Sequence, residues 1–143
     1  MSDICTLWLE FIRYHADIDP FIAPPDNAAA GFEKEYLLPA VRSEMSLVLV
    51  ALDGDKTIGY SCAEEKTIPY NSRKYGHIDQ MAVTAAYRHR GIGEKMYGEI
   101  IKWFRSRDIS RIQVQLMVEN QLADSFWRKH GFKNYQYTLF KQI

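Results

Sequence analysis

Arg88-His89-Arg90-Gly91-Ile92-Gly93-Glu94 sets two arginines against two glycines, between a run with strand character and a run with helix character. Upstream, residues 77–83 are apolar and β-prone enough for a strand. Downstream, Ile92, Met96, Ile100 and Phe104 recur every four residues, the spacing of one helix face. A strand, a glycine turn and a helix in that order make an anion cradle. Glycine lets the backbone take unusual φ values and come close to a ligand. The first N–H groups of a helix have no internal partner, so they point at phosphate oxygens, and the helix dipole with Arg88 and Arg90 adds positive potential. Two commoner phosphate loops are excluded. A Walker loop needs Lys-Ser or Lys-Thr after its last glycine, and a dinucleotide fingerprint needs a third small residue where Met96 stands.

The R-x-x-G-x-G pattern resembles motif A of the GNAT N-acetyltransferases. A second stretch, Asn120-x-x-Ala123-x-x-Phe126-Trp127-x-x-x-Gly131-Phe132, resembles their motif B. An Arg-Gly-x-Gly turn alone is a weak signal, whereas two motifs in the right order and spacing are a strong one. The resemblance runs from about Leu47 to the end of the sequence and is loose before it. It implies an α/β fold, one acetyltransferase-like domain over residues 1–143, with a mixed central sheet of about six strands flanked by about four helices. The family usually opens with a strand before its first helix, and only Met1-Ser2-Asp3 precede one here, so that strand is expected to be missing or very short.

Length and composition are compatible with this reading. A chain of 143 residues suits one domain, and a hydrophobic content of 47% can supply a core. No stretch approaches the ~18 apolar residues of a membrane span, and Asp3 and Glu10 stand where a signal peptide would be basic, so a cytoplasmic protein with no membrane partner is expected. Cys5 and Cys62 have no motif spacing, which points to buried thiols in a reducing compartment rather than to a disulfide or a metal site. The net charge of +0 conceals a division: residues 1–65 carry −8 and residues 66–143 carry +8. The basic half suits a polyanionic cofactor and the acidic half a cationic acceptor, or the halves simply neutralise one another across the fold.

Taken in order, Ile4, Leu7, Trp8, Phe11 and Ile12 form the stripe of an amphipathic helix that should end near Asp19-Pro20. A second helical stretch, roughly 27–42, has Phe32, Tyr36 and Val41 facing inward and is weakened late by Pro39. Residues 47–52 read as a strand, Asp53-Gly54 as a hairpin turn and 57–65 as the returning strand. A loop over 66–74 and a third strand over 75–83 lead into the turn, and a helix follows over 91–106. Ile112, Val114, Leu116 and Val118 alternate with Arg111, Gln113, Gln115 and Met117 as in a half-buried strand. Asn120 reads as an N-cap and Gly131 as the C-terminal stop of a short helix, and Tyr135 to Lys141 as an edge strand.

By resemblance, the strands at 77–83 and 112–118 part to admit the pantetheine arm of acetyl-CoA, the co-substrate. Met81, Ala82 and Val83 would contact the arm through main chain. Its pyrophosphate would rest on amides from Arg88 through His89, Arg90, Gly91, Ile92 and Gly93 to Glu94. Asn120, Ala123 and Phe126 match the motif B positions on the far side of the cofactor, although a helix cap and core packing account for Asn120 and Phe126 equally well. No metal is implied. The resemblance further implies a small-molecule or peptide amine acceptor, attacking directly in a ternary complex, with the Val83 amide as oxyanion donor. A homodimer is compatible with it.

An acceptor amine of pKa ~10.4 is neutral in only about one molecule in 2,500 at pH 7, so transfer is helped by a base. Alignment on Val83-Thr84 and Arg88 puts His77 where some members carry a catalytic glutamate, and strand alternation puts Asp79 on its side. His77 is thus the candidate base, Asp79 its tuning partner, and Glu64 or Glu65 the fallback; a lone strand histidine also has an ordinary structural reading. The clearest departure is Trp127, which stands where many members have a tyrosine to protonate the departing thiolate. Tyr97, Tyr135 and Tyr137 are the substitutes named from sequence. A CoA-binding or regulatory module that has lost catalysis is the rival function. A nucleic-acid partner, favoured only by the basic half, is not expected.

Overall fold

The computed structural model describes residues 3–143. Helix α1, Asp3–Ile18, forms over the stripe that begins at Ile4 and stops where Asp19 caps a short 3-10 turn with Pro20 in its first position. The second helical stretch runs without a break as α2 (Ala28–Phe32), a π turn (Glu33–Leu37) and α3 (Leu38–Arg42). Proline has no N–H to return to the preceding turn and its ring crowds the carbonyl four residues back. The π turn lies just ahead of Pro39, so the chain stays helical through a residue that would otherwise end it. Trp8 of α1 stacks on Phe32 at 4.5 Å and Phe32 on Tyr36 at 5.2 Å, which fastens the two helices face to face.

Four strands make one sheet in the order β1-β2-β3-β4, where β1 is Ser46–Asp53, β2 Lys56–Thr67, β3 Lys74–Val83 and β4 Ile112–Val114. The first three are antiparallel neighbours, and β4 is parallel to β3. The β1–β2 turn falls at Gly54, whose φ of +58° is the left-handed value that a two-residue hairpin demands. Helix α1 packs on one face, where Leu7 meets Tyr60 and Cys62. Helix α4, Ile92–Ser106, packs on the other, where Ile100 and Phe104 meet Ala63 and Ile78. Helix α5, Gln121–Lys129, joins that second face through Trp127.

Two irregularities shape β3. Cys62 pairs with Gln80 and Ala63 with Ile78, so Asp79 is a bulge with no partner of its own. The bulge reverses the alternation: Ile78 and Met81 share the α4 side although they differ in parity. Beyond Ile78, β3 also loses its other neighbour, because β4 pairs only with Gly76, His77 and Ile78.

The expected six strands are therefore four among the described residues. The strand expected over 112–118 stops at Val114, because from there the chain diverges from β3 and finds no ladder partner; Val118 is 88% exposed. Tyr135 to Lys141 form no strand either. Their alternation supplies side chains for a face, but they join no ladder, and Tyr137, Leu139 and Phe140 are exposed. No strand precedes β1 among the described residues, and Met1 and Ser2 of the expected short lead lie outside them. No helix is long and apolar enough to cross a membrane among the described residues. Cys5 and Cys62 are both buried, and burial pushes the Cys62 thiol up to about 12.

Candidate active site

A cleft of about 520 Å³ lies at the end of β3, beyond the last residue that β4 pairs with. Its first wall is the end of β3. The Thr84 amide donates to the Ile58 carbonyl at 2.9 Å, so the pair opposite Gly59, Val83, is a non-hydrogen-bonded one, as is Met81 opposite Ser61. The N–H and C=O of Met81 and Val83 therefore turn away from β2 toward the cleft. Ala82, opposite Tyr60, spends its main chain on β2 and offers the cleft its methyl group only. This separates residues that the sequence groups together: Met81 has an open main-chain edge and Val83 an open amide, its carbonyl being taken by Arg88.

The floor is the start of α4. Gly91 is its N-cap with φ +79°, and no side chain caps the end, so the amides of Ile92, Gly93 and Glu94 have neither helical nor side-chain acceptors. A side chain at Gly91 would meet nothing within 4 Å, so glycine is needed there for conformation. A Cβ at Gly93 would come within 3.2 Å of Phe126, so glycine there sets the approach of α4 to α5. Arg88 lines the cleft and donates from Nε to the Val83 carbonyl at 3.1 Å. His89 also lines it, at φ +61°. Arg90 is the one expected cofactor residue outside the lining; its guanidinium lies over the Tyr87 ring at 5.0 Å. Glu94 pairs with Lys129 at 2.9 Å and His130 at 2.8 Å, which ties α4 to α5, and the Lys129 ammonium holds its carboxyl below the usual range.

Asn120, Ala123, Phe126 and Trp127 form the opposite wall. Asn120 is buried and caps α5, its Oδ1 accepting from the Ala123 amide at 3.1 Å. That cap fixes the amide group, so Nδ2 is the atom facing His15 Nε2 at 3.3 Å. A neutral His15 ring then accepts at Nε2 and donates from Nδ1 to the Phe11 carbonyl, 2.8 Å away. Tyr14 donates to Asn120 Oδ1 at 3.4 Å. One helical turn earlier, Glu10 accepts from Thr84 Oγ1 and from the Ala85 amide, both at 3.0 Å. Helix α1 thus spans the cleft, held to the turn that follows β3 by Glu10 and to the Asn120 cap of α5 by Tyr14 and His15. None of these three is singled out by the sequence reading. A signal exists: Tyr14 and His15 prolong the stripe of Leu7, Trp8 and Phe11 at helical spacing.

His77, Asp79 and Glu64 lie elsewhere and do not line this cleft. His77 Nδ1 is 3.7 Å from Glu64 Oε1, and the same oxygen is 3.2 Å from Lys66. Asp79 accepts a short hydrogen bond from Tyr36, while His77 Nδ1 is buried without a hydrogen-bond partner and has the Glu64 carboxylate as its neighbour. Glu64 and Tyr36 line a second cavity of about 240 Å³ with Glu35, Ser43 and Cys62. Burial raises the Tyr36 and Tyr60 hydroxyls well above the ordinary phenol value. Glu65 points to the opposite face, where it takes Lys74 at 2.7 Å and Arg107 at 2.6 Å. Lys74 and Arg107 hold its carboxyl below the usual range against the opposing effect of burial, which is the wrong direction for a base.

A free strand edge, an uncapped helix start and the wall of α5 meet in one cleft, and comparison with known proteins assigns the class. The acetyltransferase (GNAT) family matches residues 8–132, and the chain belongs to that family. N-alpha-acetyltransferase 30 of Schizosaccharomyces pombe is 29% identical over 87 residues, a match spanning 61% of this chain and 57% of that protein. The BH1408 protein of Bacillus halodurans, solved as a tetramutant, superposes over 99% of this chain and 92% of its own with a TM-score of 0.83 at 21% identity. The aminoglycoside N-acetyltransferase AAC(6')-Iy, in complex with the bisubstrate analogue CoA-S-monomethyl-acetylneamine, superposes over 97% and 90% with a TM-score of 0.70 at 16% identity. At these identities the two structures share the fold.

Proposed function

We propose that residues 1–143 act as one acetyltransferase domain that moves the acetyl group of acetyl-CoA to a primary amine by direct attack in a ternary complex. The observation that carries this is a single one: the open main-chain edge of Met81 and Val83 runs into the uncapped start of α4 within one cleft. A pantetheine arm needs the first feature and a pyrophosphate the second. The bisubstrate complex of the aminoglycoside enzyme, which shares this fold, supports CoA as the donor. Val83 is the oxyanion donor in this reading. His77, off the cleft with Glu64 beside it, takes the amine proton through water. One relative is named an N-alpha-acetyltransferase and another an aminoglycoside N-acetyltransferase, and Glu35 and Glu64 on the second cavity favour a cationic acceptor.

The test is release of CoA from acetyl-CoA across a panel of polyamines, aminoglycosides, lysine-bearing peptides, peptide N-termini and neutral amines, at two ionic strengths. Cationic amines should turn over fastest, and their apparent affinity should fall with salt. A protein that binds CoA but acetylates nothing on the panel would leave the rival reading, a silent CoA-binding module, which the tryptophan at 127 favours. Faster turnover of neutral or acidic amines would remove the acceptor class alone.

A further inference from the structure

Trp127 leaves the departing thiolate without a proton donor, and the tyrosines named from sequence do not face the cleft. Tyr97 packs against Phe126, Trp127, His130 and Phe132, while Tyr135 and Tyr137 lie exposed on the C-terminal segment. Tyr14 does face it, from α1. We propose that Tyr14 protonates the CoA sulfur as the acetyl group leaves, a role that rests on the acetyl-transfer reading above.

Three observations support the assignment. First, Tyr14 is held from both sides: Glu10, one turn before it, is fixed to Thr84 and Ala85, and His15, next to it, is fixed to Asn120. Second, its own hydroxyl reaches Asn120 Oδ1 at 3.4 Å, a long bond whose acceptor is already committed to the α5 cap, so the proton is only weakly retained there. Third, the Arg88 guanidinium carbon lies 5.9 Å from the ring centroid, so the ring is seated against a cation as well as against Asn120. Tyr87, the other tyrosine on the cleft, has its hydroxyl bound to Asp53 at 2.8 Å, and that hydrogen bond holds its proton more tightly.

The step balances as follows. The amine lone pair forms the N–C bond to the thioester carbon and pushes its electrons onto oxygen. Collapse of that intermediate breaks C–S and sends the electron pair to sulfur. The Tyr14 O–H proton moves to sulfur, and the phenolate is reprotonated from solvent by the proton that the amine has released. The amine loses one proton, CoA gains one, and nothing is oxidised or reduced.

Tyr14→Phe keeps the ring under Arg88 and removes only the hydroxyl. The variant should lose roughly 10²-fold in kcat, the low end for proton transfer by a positioned side chain, because a thiol of pKa ~8.5 leaves partly unaided. The KM for acetyl-CoA should hold within about twofold. The alkaline fall of the wild-type kcat profile, where the phenol deprotonates, should vanish in the variant. A merely structural Tyr14 predicts a lowered melting temperature and two profiles of the same shape. Wild-type kcat, or a reduced kcat that keeps the alkaline fall, would overturn the proposal while leaving acetyl transfer standing. Absence of turnover by the wild-type protein with any amine would overturn both. If Tyr14→Phe melts early, 3-fluorotyrosine in place of Tyr14 supplies the second measurement: fluorine acidifies the phenol, so the alkaline fall should move to lower pH, and an unmoved limb counts against the assignment.

Discussion

Replacement of Gly91 by valine separates conformation from bulk at the start of α4. The site has φ +79° and open space around a Cβ, so valine collides with nothing and pays only in backbone strain. That strain is about 1–3 kcal/mol for a residue in a sparsely populated region, and a β-branched side chain belongs at the upper end. The protein should still fold, with a melting temperature lower by a few degrees to about 10 °C. Relief of the strain re-aims the amides of Ile92 and Gly93, which the cofactor reading gives to the pyrophosphate. Each hydrogen bond to a charged group contributes about 1.5–3 kcal/mol, so loss of two is worth roughly 3–6 kcal/mol, or about 10²–10⁴-fold in Kd. Isothermal titration of acetyl-CoA into the folded variant reads this directly. Gly91→Asn is the control, because asparagine tolerates the left-handed region and should keep most of the affinity. A folded Gly91→Val protein with wild-type affinity would refute the assignment of the pyrophosphate to this turn. An equal loss in the asparagine variant would refute the conformational argument and leave bulk as the cause.

His77→Ala should lower kcat/KM by roughly 10²–10⁴-fold at neutral pH, with acetyl-CoA affinity nearly constant and partial rescue as the pH is raised and the amine deprotonates unaided. Near-wild-type turnover, or a loss matched by unfolding in a melting curve, makes His77 structural. Glu65→Gln should destabilise the fold by about 1–3 kcal/mol in urea at pH 7, less than a fully buried pair would cost, because Lys74 and Arg107 are partly exposed and rehydrate. Since the folded carboxyl is depressed, the wild type holds this contribution in full above the unfolded value of ~4.3 and loses it as pH falls through the lower folded value. The gap between wild type and Glu65→Gln should therefore close in acid, and a gap constant from pH 7 to pH 3 would contradict the ion-pair account.

Local signals carried the elements that local chemistry decides. The four-residue spacing from Ile92 to Phe104 is α4, Asp53-Gly54 is the hairpin, and Asn120 caps α5 through its own side chain. What strict alternation cannot see is the bulge at Asp79, which has no glycine to announce it and which parts Met81 from the side of His77. The same limit applies to β4: residues 112–118 have the composition of a strand, but a strand exists only beside another, and that is a property of distant chain. Glu64 and Glu65 are adjacent in sequence yet stand on opposite faces, one near His77 and one between two cations, so the fallback base reduces to Glu64. The cleft contacts of Glu10, Tyr14 and His15 depend on where α1 crosses the sheet, which the helical stripe gives only as a direction and not as a distance.

The π turn at Glu33–Leu37 makes the number of residues, and not only their identity, a determinant of the second cavity. A π turn is an α-helix carrying one residue too many, and one residue is about 100° of rotation at 3.6 residues per turn. Removing a single residue between Phe32 and Tyr36 would let the stretch relax into a plain helix while leaving Phe32 stacked on Trp8. Because the wider turn absorbs that rotation, the helix after the deletion would keep its facing, with Tyr36 still on Asp79, and only the stretch between the two rings, which carries Glu35 on the cavity rim, would be one residue shorter. Relatives that differ by one residue here would thus present a different rim over an unchanged sheet, so the cavity can be re-specified by a length change that leaves the cleft at β3 untouched.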